Sequence, residues 1–177
     1  MKDTASRELP GELFEEYSEW YMSLAEDCGS LPRTVSGVSE NLRQFIYVLD
    51  DVELHHMSRN KFIRFVLDDF AAEAYAYGSV DIRGDSDEGR LEEVLDVIAA
   101  DKEHYIAGSW RVIRDEEGRV TGLVHLGIRK GDDHEKQAGA WFLSGSIRFT
   151  DAENARYRSL WENAKPSVVF KDRNARQ

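Results

Sequence analysis

Trp110-Arg111-Val112-Ile113-Arg114-Asp115-Glu116-Glu117-Gly118-Arg119-Val120-Thr121-Gly122-Leu123-Val124-His125-Leu126 is the stretch in which the period of the apolar residues changes. Trp110 and Val112 alternate with Ser109 and Arg111, and Val120, Gly122, Val124, Leu126 and Ile128 alternate with their neighbours, which predicts two strands. Asp115 to Gly118 is the connection of a hairpin, because Gly118 can take the left-handed backbone that closes it. A polar loop over 130–137 and a third strand carrying Trp141, Leu143, Gly145, Ile147 and Phe149 complete the expected antiparallel meander.

Working back from this stretch, the apolar residues recur at helical spacing. Leu13, Tyr17, Trp20, Tyr21 and Leu24 predict a helix over 12–27 that Gly29 stops. Val38, Leu42, Phe45, Ile46 and Leu49 predict a second helix. Phe62, Ile63, Phe65, Val66, Leu67, Phe70 and Ala74 predict a third, closed by Gly78, and Leu91, Val94, Leu95, Ile98 and Tyr105 a fourth. Working forward, Thr150 and Glu153 form a capping box that opens a helix running to Pro166, and Ser167 to Phe170 suit a short edge strand. The expected fold class is therefore α+β in a single domain, 1–177. About four N-terminal helices fill about 11–106, a three- to four-stranded antiparallel meander and a C-terminal helix fill about 108–170, and 171–177 is a frayed tail.

The string from Trp110 to Gly122 resembles the final hairpin of PAS sensory domains, in which an acidic-Gly turn joins two strands. PAS domains open with strands, whereas the first hundred or so residues here read as helices, so the resemblance implies no ligand or sensor residue.

The chain has 177 residues and a formal net charge of −11. That charge disfavours direct binding of nucleic acid, whose phosphates need a basic footprint. A single cysteine, Cys28, excludes an internal disulfide, and no apolar run is long enough to span a bilayer. With a polar N-terminus, the expected location is cytoplasmic, with no membrane association.

Charge is unevenly distributed along the chain. Residues 1–107 hold 24 acids against 10 bases, whereas residues 108–177 hold 10 acids against 13 bases. Acidic helix faces at Glu12, Glu15, Glu16, Glu19, Asp68, Asp69, Glu92 and Glu93 are the expected partner-binding surface. Complementary potential would dock a basic protein partner there, a nucleic-acid-binding protein being one that carries such a surface. The plainer expectation is that these are solvated faces. In the predicted sheet, Arg111, Arg119, His125, Arg129 and Arg148 fall on the parity opposite Trp110, as does Phe142. A row of guanidinium groups could take a carboxylate or phosphate ligand, or it could pair with the chain's own acids.

Catalytic templates find little. His55 and His56 are adjacent and diverge by about 100° on a helix, so they cannot chelate as an i,i+4 pair does. Asp132-Asp133-His134-Glu135 lacks the spacing of a calcium or zinc motif. The third expectation, after an acidic adaptor or inhibitor and an anion-binding domain, is a small hydrolase using His125 or the His55-His56 pair beside a carboxylate. No catalytic residue is singled out, and no metal or other cofactor is expected.

Overall fold

The structure, a computed structural model, describes residues 9–49, 54–85, 89–143 and 148–175, with the side chains of His56, Met57 and Asp85 outside the description. Its centre is a seven-stranded antiparallel sheet. In chain order the elements are α1 (Leu9–Asp27), β1 (Thr34–Ser39), β2 (Arg43–Val48), α2 (His56–Asp69), β3 (Ala72–Asp85), β4 (Arg90–Ala100), β5 (Tyr105–Arg114), β6 (Val120–Lys130), α3 (Asp133–Trp141), α4 (Asp151–Ala164) and β7 (Val169–Asp172). The strand order is β6-β5-β4-β3-β1-β2-β7. Helix α1 lies on one face and α2, α3 and α4 on the other, so the middle strands are covered on both sides.

The class with helices and an antiparallel sheet stands, but the three- to four-stranded meander and the four N-terminal helices do not. Where the second helix was expected, β1 and β2 form a hairpin. Val35 of β1 and Phe45 and Tyr47 of β2 point to α2, and Thr34, Ser36, Val38 and Gln44 lie on the α1 side. The turn between them has no glycine. Leu42 instead takes a left-handed φ of 57°, a costly conformation for a leucine, with its amide on the Ser39 carbonyl at 2.9 Å. Ala71, with φ 55°, does the same after α2 and turns the chain into β3 where the third helix was expected to continue to Gly78.

The expected fourth helix is β4. Its Leu95, Val97 and Ala99 pack under α1, while Val94, Ile98 and Ala100 face the other helices. A strand covered on both faces is apolar in both parities, and such a run also satisfies 3- and 4-residue spacing. The third strand expected around 141–149 is also absent from its described part. Asp132 caps α3 in a reciprocal box with Glu135, so the polar loop is a helix that runs into Trp141; residues 144–147 lie outside the described residues. The box at Thr150 and Glu153 opens α4 as expected, and the hairpin at Asp115 to Gly118 closes with Gly118 at φ 80°.

Two cores result. Under α1, Leu13, Phe14, Tyr17, Tyr21 and Ala25 meet Val38, Ala76, Leu95, Val97, Trp110 and Val112. On the other face, Phe62, Phe65 and Val66 of α2 meet Phe45, Tyr47, Tyr157 and Trp161 in an aromatic cluster. The tail is not frayed at Arg173, whose side chain is only 12% exposed beside α1. Among the described residues no helix is long and apolar enough to cross a membrane.

Candidate functional site

Helix α1 carries the most one-sided charge in the molecule. Its apolar positions Leu13, Phe14, Tyr17, Tyr21 and Ala25 recur at 3 and 4 residues and seat it on the sheet, which turns Glu12, Glu15, Glu16, Glu19, Glu26 and Asp27 outward or sideways. No lysine or arginine occurs in its 19 residues. The helix stops where the amides of Cys28 and Gly29 both reach the Leu24 carbonyl and Gly29 takes φ 64°.

A polar seam runs beneath it. The Tyr21 hydroxyl donates to the Pro32 carbonyl at 2.7 Å and lies 2.8 Å from Thr34 Oγ1. Gln44 Nε2 donates to Ser36 Oγ at 2.8 Å, and Arg173 Nη1 donates to Gln44 Oε1 at 2.9 Å. Arg173 also forks onto both carboxylate oxygens of Glu16 at 2.8 and 2.7 Å, with Glu12 at 3.6 Å. Beside this seam, between α1 and the β2–β7 edge, lies a groove of about 320 Å³ walled by Glu16, Glu19, Trp20, Ser23, Ile46 and Lys171.

The eight acids expected to form one surface are divided by this arrangement. Glu12 and Glu16 turn toward Arg173, and Lys171 stands 4.0 Å from Glu16. Asp69 accepts from Trp161 Nε1 at 3.0 Å and pairs with Arg158 at 3.4 Å. Glu92 stands 3.2 Å from Arg111 Nε, and Glu93 accepts from two nitrogens of Arg114. Asp68 is exposed on α2, on the far side of the sheet. Glu15 and Glu19 are exposed on α1 and make no ion pair among the described residues, as is true of Glu26 and Asp27. The charge division along the sequence is thus not a division in space. Lys61 with Glu153, Arg158 with Asp69, Arg111 with Glu92 and Arg173 with Glu16 all join the two parts.

The basic residues expected on one sheet face are also dispersed. A register shift between Ser109 and Trp110 sets His125 opposite Trp110, so the two share the α1 side with ring centroids 5.5 Å apart. Arg111 and Arg129 point to the other side, where Arg129 pairs with Glu135 and each raises or lowers the other's proton affinity toward the charged form. Arg119 lies against Gly29 at the end of α1, and Arg148 is in an exposed connection rather than a strand. Gly122 and Gly127 each sit beside a register shift, and Gly145 lies outside the described residues.

Basic side chains do gather elsewhere: His104, Lys130 and Lys136 border a space of about 210 Å³ next to Pro10 and Gly11. Lys130 and Lys136 are six residues apart, and the fold brings His104 to them. Phe142, expected either as a covered residue or as a stacking platform, packs against Tyr75 at 5.6 Å in the α2-side core. His55 precedes α2, on the opposite side of the sheet from His125, so the structure does not join the histidines into one centre. Among the described residues no group of three His, Cys, Asp or Glu could hold a metal ion. No protein-family model, curated protein or solved structure matches the chain.

Proposed function

We propose that this chain is a binding protein whose helix α1 docks a basic segment of a partner protein. The observation that carries the reading is the outward face of α1, where Glu15, Glu19, Glu26 and Asp27 stand exposed without an ion pair among the described residues. That arrangement works against the helix itself. Glu15 and Glu19 repel at i,i+4, and Glu26 and Asp27 oppose the dipole in the last turn, each at a few tenths of a kcal/mol. A basic partner reverses the sign of both effects. The adjoining groove offers the Glu19 carboxylate and the Trp20 ring to a lysine or arginine side chain, which is the pairing of charge and aromatic face that binds such cations. A nucleic-acid-binding protein presents surfaces of this kind, and the helix then competes with nucleic acid for them.

Pull-down from cell extract at low salt and again at about 0.5 M, where the Debye length is about 4 Å, tests the reading. The expected result is a basic partner recovered at low salt, lost at high salt, and recovered at least about tenfold less by Glu15→Lys/Glu19→Lys. Asp68→Lys on α2 leaves recovery unchanged. A partner set insensitive to salt and to the α1 substitutions sinks the proposal.

A further inference from the structure

Between α2, α3 and the sheet lies a cavity of about 170 Å³, walled by Ile63, Tyr75, Tyr77, Ile98, Tyr105 and Phe142. Among the described residues no lysine, arginine, histidine, aspartate or glutamate lines it. The sheet supplies the tyrosines because Tyr75 and Tyr77 of β3 and Tyr105 of β5 all face away from α1, with Tyr75 and Tyr105 on either side of Ala100 in β4 and Tyr77 beside Ile98. Helix α3 forms the facing wall and comes very close to the sheet: a Cβ at Gly139 would stand 3.0 Å from the Tyr105 ring and 3.1 Å from the Ala100 methyl. A side chain at this position would force the Tyr105 ring or the helix to give by a few tenths of an ångström.

The polar atoms near the cavity define what it can hold. The Tyr75 hydroxyl donates to the Gly139 carbonyl at 3.2 Å, so the innermost phenol is already satisfied. Burial pushes the hydroxyls of Tyr75, Tyr77 and Tyr105 up, so all three are neutral at physiological pH. The walls carry no formal charge, and Arg33, Arg59, Arg129 and Glu135 act on the Tyr77 and Tyr105 hydroxyls only from outside the lining. An ion entering here therefore loses hydration without a direct contact of opposite charge, which costs several kcal/mol. The side-chain amide of Asn60 also lies at the wall and makes no hydrogen bond among the described residues. In size the space resembles the roughly 150 Å³ engineered cavity that takes up benzene.

We propose that this cavity is a binding site for a small uncharged aromatic molecule of one or two rings carrying a single hydrogen-bonding group, the ring held among the tyrosines and Phe142 and the polar group at Asn60. Offset or edge-on ring contacts with these walls favour a flat aromatic over an alkane of equal volume. The site lies across the sheet from the outward face of α1 and stands or falls independently of the docking reading.

Indole is a suitable probe, with sodium benzoate as the charged control and toluene as the ring without a polar group. Full-length protein labelled at the isoleucine methyls is titrated with each by NMR, and thermal unfolding is followed in parallel. Saturable indole shifts are expected at the methyls of Ile63 and Ile98 and not at Ile46 across the sheet, with a rise in Tm that tracks occupancy. Benzoate is expected to leave those methyls in place. Asn60→Leu should weaken indole about three- to tenfold and leave toluene unchanged, the effect of one hydrogen bond. Ile98→Phe fills the space and should abolish indole shifts at Ile63; Ala138→Phe, on the exposed side of α3 at the cavity's edge, is the second blocking variant should Ile98→Phe fail to fold. Unmoved Ile63 and Ile98 methyls near the solubility limit of indole, equal shifts with benzoate, or a folded blocking variant that binds indole as the wild type does would each overturn the proposal.

Discussion

Arg173, in the last turn of the described chain, grips both carboxylate oxygens of Glu16 in the second turn of α1, at 2.8 and 2.7 Å across 157 residues of sequence. The same guanidinium reaches Gln44 and so ties α1 to β2 as well. Arg173→Ala leaves Gln44 and Glu16 without that donor in a half-buried site, and a loss of about 2 kcal/mol is expected. Arg173→Lys should recover less than half of it, because an ammonium cannot fork onto two oxygens. Urea unfolding midpoints compare the variants; a midpoint unchanged in Arg173→Ala would show that the tail contributes nothing to holding α1.

Two tyrosines one helical turn apart should behave differently when their hydroxyls are removed. Tyr21 donates to the Pro32 carbonyl and lies 2.8 Å from the Thr34 hydroxyl, so Tyr21→Phe strands both at a cost of about 1–3 kcal/mol. The Tyr17 hydroxyl is fully buried near the Thr34 and Ser36 side chains but makes no hydrogen bond of good geometry among the described residues, and burial raises its proton affinity more than those two neighbours lower it. Tyr17→Phe removes an unsatisfied group and should be neutral or stabilising by up to about 1 kcal/mol. Equal losses in the two variants would contradict this account.

Gly78 on β3 lies directly beneath the Tyr21 ring, and a Cβ there would overlap the ring and its hydroxyl. Gly78→Ala should therefore cost about 1–3 kcal/mol through overpacking. Gly122 on β6 has open space where its Cβ would go, so Gly122→Ala should lie within about 0.5 kcal/mol of the wild type. Thermal melts of both decide whether α1 sits as closely on β3 as described.

Acid should weaken the molecule through three carboxylates. Glu93, Glu135 and Glu153 are each held below the ordinary value of 4.5, chiefly by hydrogen bonds from Arg114, Arg129 and Lys61 respectively. A carboxyl depressed in the folded state contributes stability that is present above its unfolded value and lost as the pH falls through its folded value. The stability gap between wild type and Glu135→Gln/Glu153→Gln should accordingly be widest near pH 7 and close below about pH 4. Denaturant midpoints across that range test the sign; a gap that widens on acidification would be incompatible with these pairings.

Local chemistry was legible wherever it settles the backbone by itself. The hairpin at Asp115 to Gly118 closes because Asp115 Oδ1 accepts from the amides of Glu117 and Arg119 while Gly118 takes the left-handed turn position. The Thr150–Glu153 box and the apolar stripe of α1 act in the same way, through contacts within a few residues. The Asp132–Glu135 box is the same motif with aspartate as the cap, but a polar run of this kind also suits a loop, and only the reciprocal hydrogen bonds distinguish the two. Leu42 and Ala71 gave no such signal, since their positive φ is imposed by the strands they join and not by their own side chains.

By itself, then, the sequence determined the charge on α1, that helix and α4, and the β5–β6 hairpin, because caps, turns and amphipathic stripes are decided by neighbours three or four residues away. Only the tertiary structure decided that Leu91 to Ala100 is a strand. Its apolar residues satisfy either period, and the choice rests on α1 covering one face while α2 and α3 cover the other. The same holds for both candidate sites. Which acids stay unpaired on α1 depends on Arg173 and Lys171 arriving from the far end of the chain, and the tyrosine cavity depends on the approach of Gly139 to β5. Ion pairing and cavity volume depend on distances between segments, and those exist only once hydrophobic burial has brought the layers together.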